Sequence, residues 1–252
     1  MFDAAFLNEF GYPALVVLLG YCVFGMTGFG SALVIIPLLS WRWPLSLVVP
    51  TVLLLDVPAA LFHTGMNLQQ VRWRIAPKII PFAILGAWLG SQAHQWSDSS
   101  WAVATLGFYI CWVAVRGLRS QAGQIEKSSA TVNSIAGILM GLIETLFGTA
   151  GPVVMAWLSR QEMKIEDIRA TAPLLILIMV GIALFSNGLS GRSDIDQILF
   201  RTGWLVPSAL IGGWMGHTFN SHIKPMTASK IIYAVLLISG IGLVARSILT
   251  SH

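Results

Sequence analysis

Two carboxylates stand alone in long apolar surroundings. Residues 43–71 carry no charge except Asp56, and residues 128–159 none except Glu144. An ionisable side chain in such a setting is costly to keep and is a functional candidate by default. Its chemistry would be proton exchange, or the gating of a polar path. The plainer reading is a structural carboxyl group hydrogen-bonded to a neighbouring helix. His63 follows Asp56 by two helical turns, on roughly the same face, with Pro58 between them as a bending point. It joins Asp56 and Glu144 as a coupling or gating candidate.

A second kind of chemistry is written in glycine. "GMTGFGS" at 25–31 and "TLFGTAGP" at 145–152 interrupt apolar runs with helix breakers. Non-helical backbone inside a membrane is tolerated only where protein or a water-filled cavity surrounds it. A break of this kind exposes the N-terminal end of the next half-helix, whose unpaired N–H groups and partial positive charge suit a small anion. The new half-helices are expected to begin near Ser31 and near Pro152, a residue suited to a first helical turn. Thr27, Gly28, Gly30 and Ser31 on one side, and Thr149, Gly151 and Pro152 on the other, are the expected substrate cradle. Thr145 offers a further hydroxyl. The alternative is that the glycines only permit tight helix packing.

Asn187 completes the expected substrate set. It corresponds to Thr64 in an internal repeat, and His63 corresponds to Ser186. All four precede a glycine near the end of a hydrophobic segment, where they would line a vestibule or, more plainly, cap a helix end. No arginine lies deep in an apolar run, so anion binding would rest on helix dipoles and hydroxyls. The sequence holds no HExxH, GxSxG, paired CxxC or phosphate loop with lysine, so no enzyme, metal site or cofactor is expected. "GMTGFG" has no preceding strand and fails as a dinucleotide fingerprint. Cys22 and Cys111 both lie in apolar runs and read as core filler.

The elements that must position these residues are membrane helices. Of the 252 residues, 56% are hydrophobic and only 10% charged, with a mean hydropathy of +0.76. Soluble domains carry about 25% charged residues. Residues 10–41 carry no charge, and residues 79–115 only Asp98. Such runs exceed the roughly 20 residues needed to cross a bilayer as a helix. A water-soluble bundle is therefore excluded. The formal charge of +4 marks cytoplasmic loops rather than nucleic-acid binding. The first run is flanked by Asp3 and Glu9 and lacks the basic start of a removable signal.

The chain repeats itself. "ALFHTG" at 60–65 returns as "ALFSNG" at 183–188, "ILGAWLG" at 84–90 as "LIGGWMG" at 210–216, and "GFGSALVIIPLL" at 28–39 faces "GTAGPVVMAWLS" at 148–159. The order is kept, and Pro50 and Pro81 meet Pro173 and Pro207. We expect a first membrane repeat over 1–119, a polar linker over 120–132 and a second repeat over 133–252. Each repeat reads as four hydrophobic segments: about 12–40, 45–66, 77–93 and 100–117, then about 134–159, 170–189, 202–218 and 226–246. Small residues four apart (Gly86 and Gly90, Gly212 and Gly216) would let helices approach closely. Trp41, Trp43, Trp73, Trp96 and Trp101 flank segment ends, as an interfacial belt requires.

Loop charges bear on topology. If each Gly-rich first segment spans, the halves are parallel and nine of the 15 Lys and Arg residues share the inner side. If each re-enters, the halves are inverted. Arg72, Arg74, Lys78, Arg116, Arg119, Lys127, Arg160, Lys164, Arg169, Lys224 and Lys230 then lie inside, eleven of the 15. The positive-inside rule favours inversion. The expected fold is an all-α integral membrane protein of about eight segments in two inverted repeats, with a broken or re-entrant first segment in each. Duplication of this kind is frequent in secondary transporters.

The Gly-rich segment running into "ALVIIPLL", its partner "FGTAGPVVMAWL", Pro50 with Pro173, and the "LGAWLG"/"GGWMG" pair resemble the TauE/SafE sulfite exporter family over nearly the whole chain. Ala150 stands where the resemblance leads one to expect glycine. The resemblance implies a multi-pass transporter of the bacterial inner membrane for a small sulfur-containing anion such as sulfite, sulfoacetate or another sulfonate. Protons are the expected coupling partner, a homodimer is a permitted assembly, and the lipid bilayer is the surrounding medium. Two other classes stay open: a passive anion channel of the same architecture, and a non-transporting membrane subunit or sensor.

Overall fold

The computed structural model describes residues 10–66, 68–93, 100–119, 129–161, 163–187 and 195–219. Near the C-terminus it describes 237, 240–245 and 247. No strand occurs among the described residues. The helices are α1 Tyr12–Thr27, α2 Ser31–Leu39, α3 Leu45–Met66, α4 Ile80–Ala93, α5 Ser100–Arg119, α6 Ala130–Phe147, α7 Gly151–Leu158, α8 Ile165–Asn187 and α9 Ile195–Phe219. Residues 240–245 are also helical. Most of the expected eighth segment, and most of the expected linker, fall outside the described residues, as does Trp96.

Local chemistry explains where these helices start and stop. Pro13 sits in the first turn of α1, where its missing N–H costs nothing. Ser129 caps α6 by accepting from the Val132 amide. Glu166 and Asp167 lie in the first turn of α8, facing the positive end of its dipole. Asp167 also accepts from Arg72 Nε and Nη2 at 3.0 and 2.8 Å. This pair pins the basic loop after α3 to the start of α8. Among the described residues, three stretches are long and apolar enough to cross a membrane: Leu45–Gly65, Ala130–Phe147 and Glu166–Asn187. The 22 residues of α3 span about 33 Å at 1.5 Å per residue. The protein is a membrane protein, and its described residues are nearly all helical.

Both Gly-rich segments are interrupted. α1 stops at Gly28 and α2 starts at Ser31, while α6 stops at Gly148 and α7 starts at Gly151. Gly28 and Gly148 close their helices in the left-handed region, at φ +80° and +61°. Their amides bond back to the carbonyls of Phe24 and Glu144.

The small residues four apart do bring helices together. α1 packs along α9, and α4 along α6. A Cβ on Gly216 would collide with the Cys22 carbonyl oxygen, and one on Gly25 with that of Gly213. Gly86 and Gly141 abut the carbonyls of Ile138 and Ala83 in the same way. Contacts this close leave no room for a side chain and bring backbone against backbone. Between these two pairs, α3 packs on α8. Gly107 and Cys111 of α5 meet Gly240 and Val244. The cysteines are free and partly buried, as core filler should be. Trp41, Trp73 and Trp101 are exposed near helix ends, whereas Trp43 lies beneath the Arg201 guanidinium, 4.1 Å from its ring centre.

Candidate functional site

The first break places Ser31 at the start of α2, where its hydroxyl donates to Asp56 Oδ1 of α3 at 3.0 Å. The Tyr21 hydroxyl of α1 donates to the same oxygen at 2.7 Å. All three side chains are buried. A carboxylate taken from water needs such donors to offset its desolvation. Thr27 Oγ1 lies 2.8 Å from the Val23 carbonyl and 2.6 Å from that of Phe29. It thus stitches the end of α1 to the turn. Gly30, at φ +93°, gives the N-terminus of α2 no side-chain cap. The first amides of α2 have no acceptor within their own helix.

The second break is built differently. Glu144 lies one turn before the end of α6, and its Oε2 accepts from the Ala150 amide at 2.8 Å. The chain's own carboxylate thus sits at the N-terminus of α7. Ala150 has φ −67° and ψ −12°, an ordinary right-handed conformation, so alanine serves where glycine was expected. Tyr109 of α5 donates to the Thr149 carbonyl at 3.0 Å. Asn187, the last residue of α8, donates from Nδ2 to the Thr145 carbonyl at 3.2 Å. Pro152 is in the first turn of α7.

The two breaks touch. A Cβ on Gly151 would lie 3.2 Å from the Phe29 ring and 3.6 Å from the Gly30 amide nitrogen. A Cβ on Gly28 would lie 3.0 Å from the Arg169 carbonyl, beside Pro173 of α8. The residues expected from sequence at 27–31, 56, 144 and 149–152 are therefore brought together. His63 is set apart. Its buried ring contacts Phe24, one turn before the first break, at 5.3 Å between centroids, and His217 of α9 at 5.6 Å. Its neighbour Thr64 is likewise buried.

The sulfite exporter TauE/SafE family model matches residues 13–243. The chain belongs to the TauE/SafE family. This is a membrane transporter family, not an enzyme family. The chain is similar to a probable inner membrane transporter protein TsaS from Comamonas testosteroni. The two are 35% identical over 194 residues, covering 76% of this chain and 80% of the relative. It is also similar to a probable sulfite/organosulfonate exporter TauE from Cupriavidus necator. That pair is 23% identical over 223 residues, 86% of each chain. No solved structure gives a significant match.

In this TauE/SafE chain, three residues at or beside the breaks escape a reading of spacing alone. Tyr21, Tyr109 and His217 carry no motif. The signal that could have found the tyrosines is their scarcity: the chain has only four, and two sit in the middle of apolar runs. A phenol at that depth must find a polar partner.

Proposed function

We propose that the protein is a secondary transporter that exports a small sulfur oxyanion or organosulfonate, such as sulfite or sulfoacetate, across a bacterial inner membrane. The observation that carries this reading is the contact between the two glycine breaks, with Gly151 against Phe29 and Gly30. Discontinuous helices meeting in this way present dipole ends to a common point inside a membrane protein. The anion would lodge at the uncapped N-terminus of α2, with Thr27, Gly28, Gly30 and Ser31 on one side. Thr149, Gly151, Pro152 and Asn187 would close the other side. Asp56 and Glu144 would couple the anion to a cation, a proton in the simplest case, and His63 with His217 would gate the path.

We infer two inverted repeats, 1–119 and 133–252, joined by the linker 120–132, with four hydrophobic segments each. The crossed packing supports it. The first element of each repeat, α1 or α6, lies on the third segment of the other, α9 or α4. The eleven-of-15 loop charge count points the same way.

Reconstitution into proteoliposomes tests the function. A pH step is expected to drive labelled sulfite or sulfoacetate against its gradient, and Gly30→Leu is expected to abolish flux while leaving expression intact. Flux that only runs downhill and ignores pH would make the protein a channel. Wild-type flux in Gly30→Leu would remove the cradle.

A further inference from the structure

The second break carries a set of buried oxygens that its own structure leaves unanswered. Glu144 Oε1, Thr145 Oγ1, Thr149 Oγ1 and Asn187 Oδ1 are all buried without a hydrogen-bond partner. Glu144, Thr145 and Thr149 are each at most 2% exposed. At the first break, by contrast, Tyr21 and Ser31 both donate to Asp56, and the Thr27 hydroxyl bonds the Val23 and Phe29 carbonyls. Leaving a buried polar atom unpaired costs about 1–3 kcal/mol. Four such atoms, three on residues 144–149 and one on the Asn187 side chain bonded to that stretch, therefore point to an occupant.

Their chemistry says which kind. Two of the nearby nitrogen donors are already used. The Ala150 amide serves Glu144 Oε2, and Asn187 Nδ2 serves the Thr145 carbonyl. Pro152 has no N–H to give. The buried side-chain atoms left without a partner here are one carboxylate oxygen, one amide oxygen and two hydroxyl oxygens. Oxygen-only sets of this type suit hard cations. A single carboxylate balances a single positive charge, whereas a divalent ion would leave an uncompensated buried charge. The site also lies at the C-terminal end of α6, the negative end of its dipole. The Ala150 and Tyr109 hydrogen bonds hold the carboxylate and the Thr149 backbone in place beforehand.

We propose that the second break binds a monovalent metal cation, sodium, through Glu144, Thr145, Thr149 and Asn187. This rests on the reading of Glu144 as a coupling group, turns the side chains of Thr149 and Asn187 from the anion to the cation, and leaves Asp56 as the carboxyl group for proton exchange. Sodium binding can be measured without any anion, so this inference and the substrate reading fail separately.

The test uses the purified full-length chain in detergent at fixed pH and ionic strength, with sodium chloride exchanged for choline chloride. Sodium is expected to raise the melting temperature saturably, and radiolabelled sodium to bind with the same dissociation constant. Glu144→Gln and Asn187→Ala are expected to abolish both responses, and Asp56→Asn to keep them. Should Glu144→Gln fail to fold, Thr149→Val keeps the shape and is expected to weaken sodium binding about tenfold or more. Identical melting in sodium and choline, together with no retained label, would overturn the proposal. So would stability that follows pH but ignores sodium, which would assign these oxygens to a proton or water.

Discussion

The two interruptions are made from the same materials and finished in opposite ways. At residues 28–30 the carboxylate comes from another helix, and Asp56 is tied by Tyr21 and Ser31. At residues 148–150 the carboxylate comes from the interrupted helix itself. Glu144 covers the amide of Ala150 and leaves its other oxygen, with three neighbours, unanswered. The first junction satisfies its polar side chains and leaves the end of α2 uncapped. The second occupies the helix end and leaves side chains open. A duplicated scaffold can thus divide labour: one copy presents amides, the other presents oxygens. Dipole geometry is shared, and the placement of one carboxylate decides the sign of charge each junction welcomes.

The contrast is broken most directly at the carboxylates. Glu144→Gln is expected to cut initial flux about 100-fold and Asp56→Asn about tenfold, differing by roughly 1.4 kcal/mol of lost stabilisation. Asp56→Asn is also expected to flatten the pH dependence of flux. Equal losses, with equal pH profiles, would show the two junctions to be interchangeable. A smaller effect is expected at the phenols. Tyr21→Phe and Tyr109→Phe each remove one hydrogen bond and should cost about 1 kcal/mol of stability, read by thermal unfolding. Only Tyr109→Phe should also weaken transport, because it frees the Thr149 carbonyl beside the open oxygens. Smallest is the difference between the turn glycines. Gly28→Ala and Gly148→Ala each force alanine to positive φ, at about 1–2 kcal/mol. Gly28→Ala should melt lower, since its Cβ would meet the rigid Arg169 carbonyl at 3.0 Å. That of Gly148 would meet an Ile36 methyl at 3.4 Å.

Much of this plan is legible in the chain. The two interruptions announce themselves through glycine and proline, and α2 and α7 begin at Ser31 and Gly151, beside the positions read from sequence. Helix α3 occupies Leu45–Met66, the segment expected from hydropathy. The small residues of α4 and α9 signalled close approach, but not to whom. Spacing along a helix shows a bare face and carries no address for its partner. For the same reason Asp56 could be marked as costly while its bonds to Tyr21 and Ser31, from two other helices, could not. The Glu144 bond to Ala150 is local, yet it depends on a turn whose path only the folded backbone defines. The pairing of His63 with His217 lies wholly in tertiary packing.

The bare glycine face of α1 has a consequence for how the protein is made. Gly25 rests on Gly213, and the two are 188 positions apart (213 − 25). A ribosome delivers α1 to the membrane long before α9 exists, so this surface enters the lipid unmatched. The N-terminal portion must wait, held by lipid or by the insertion machinery, until the last quarter of the chain is translated. Assembly therefore closes late and from its far end, and a message truncated before α9 yields a helix with nowhere to dock.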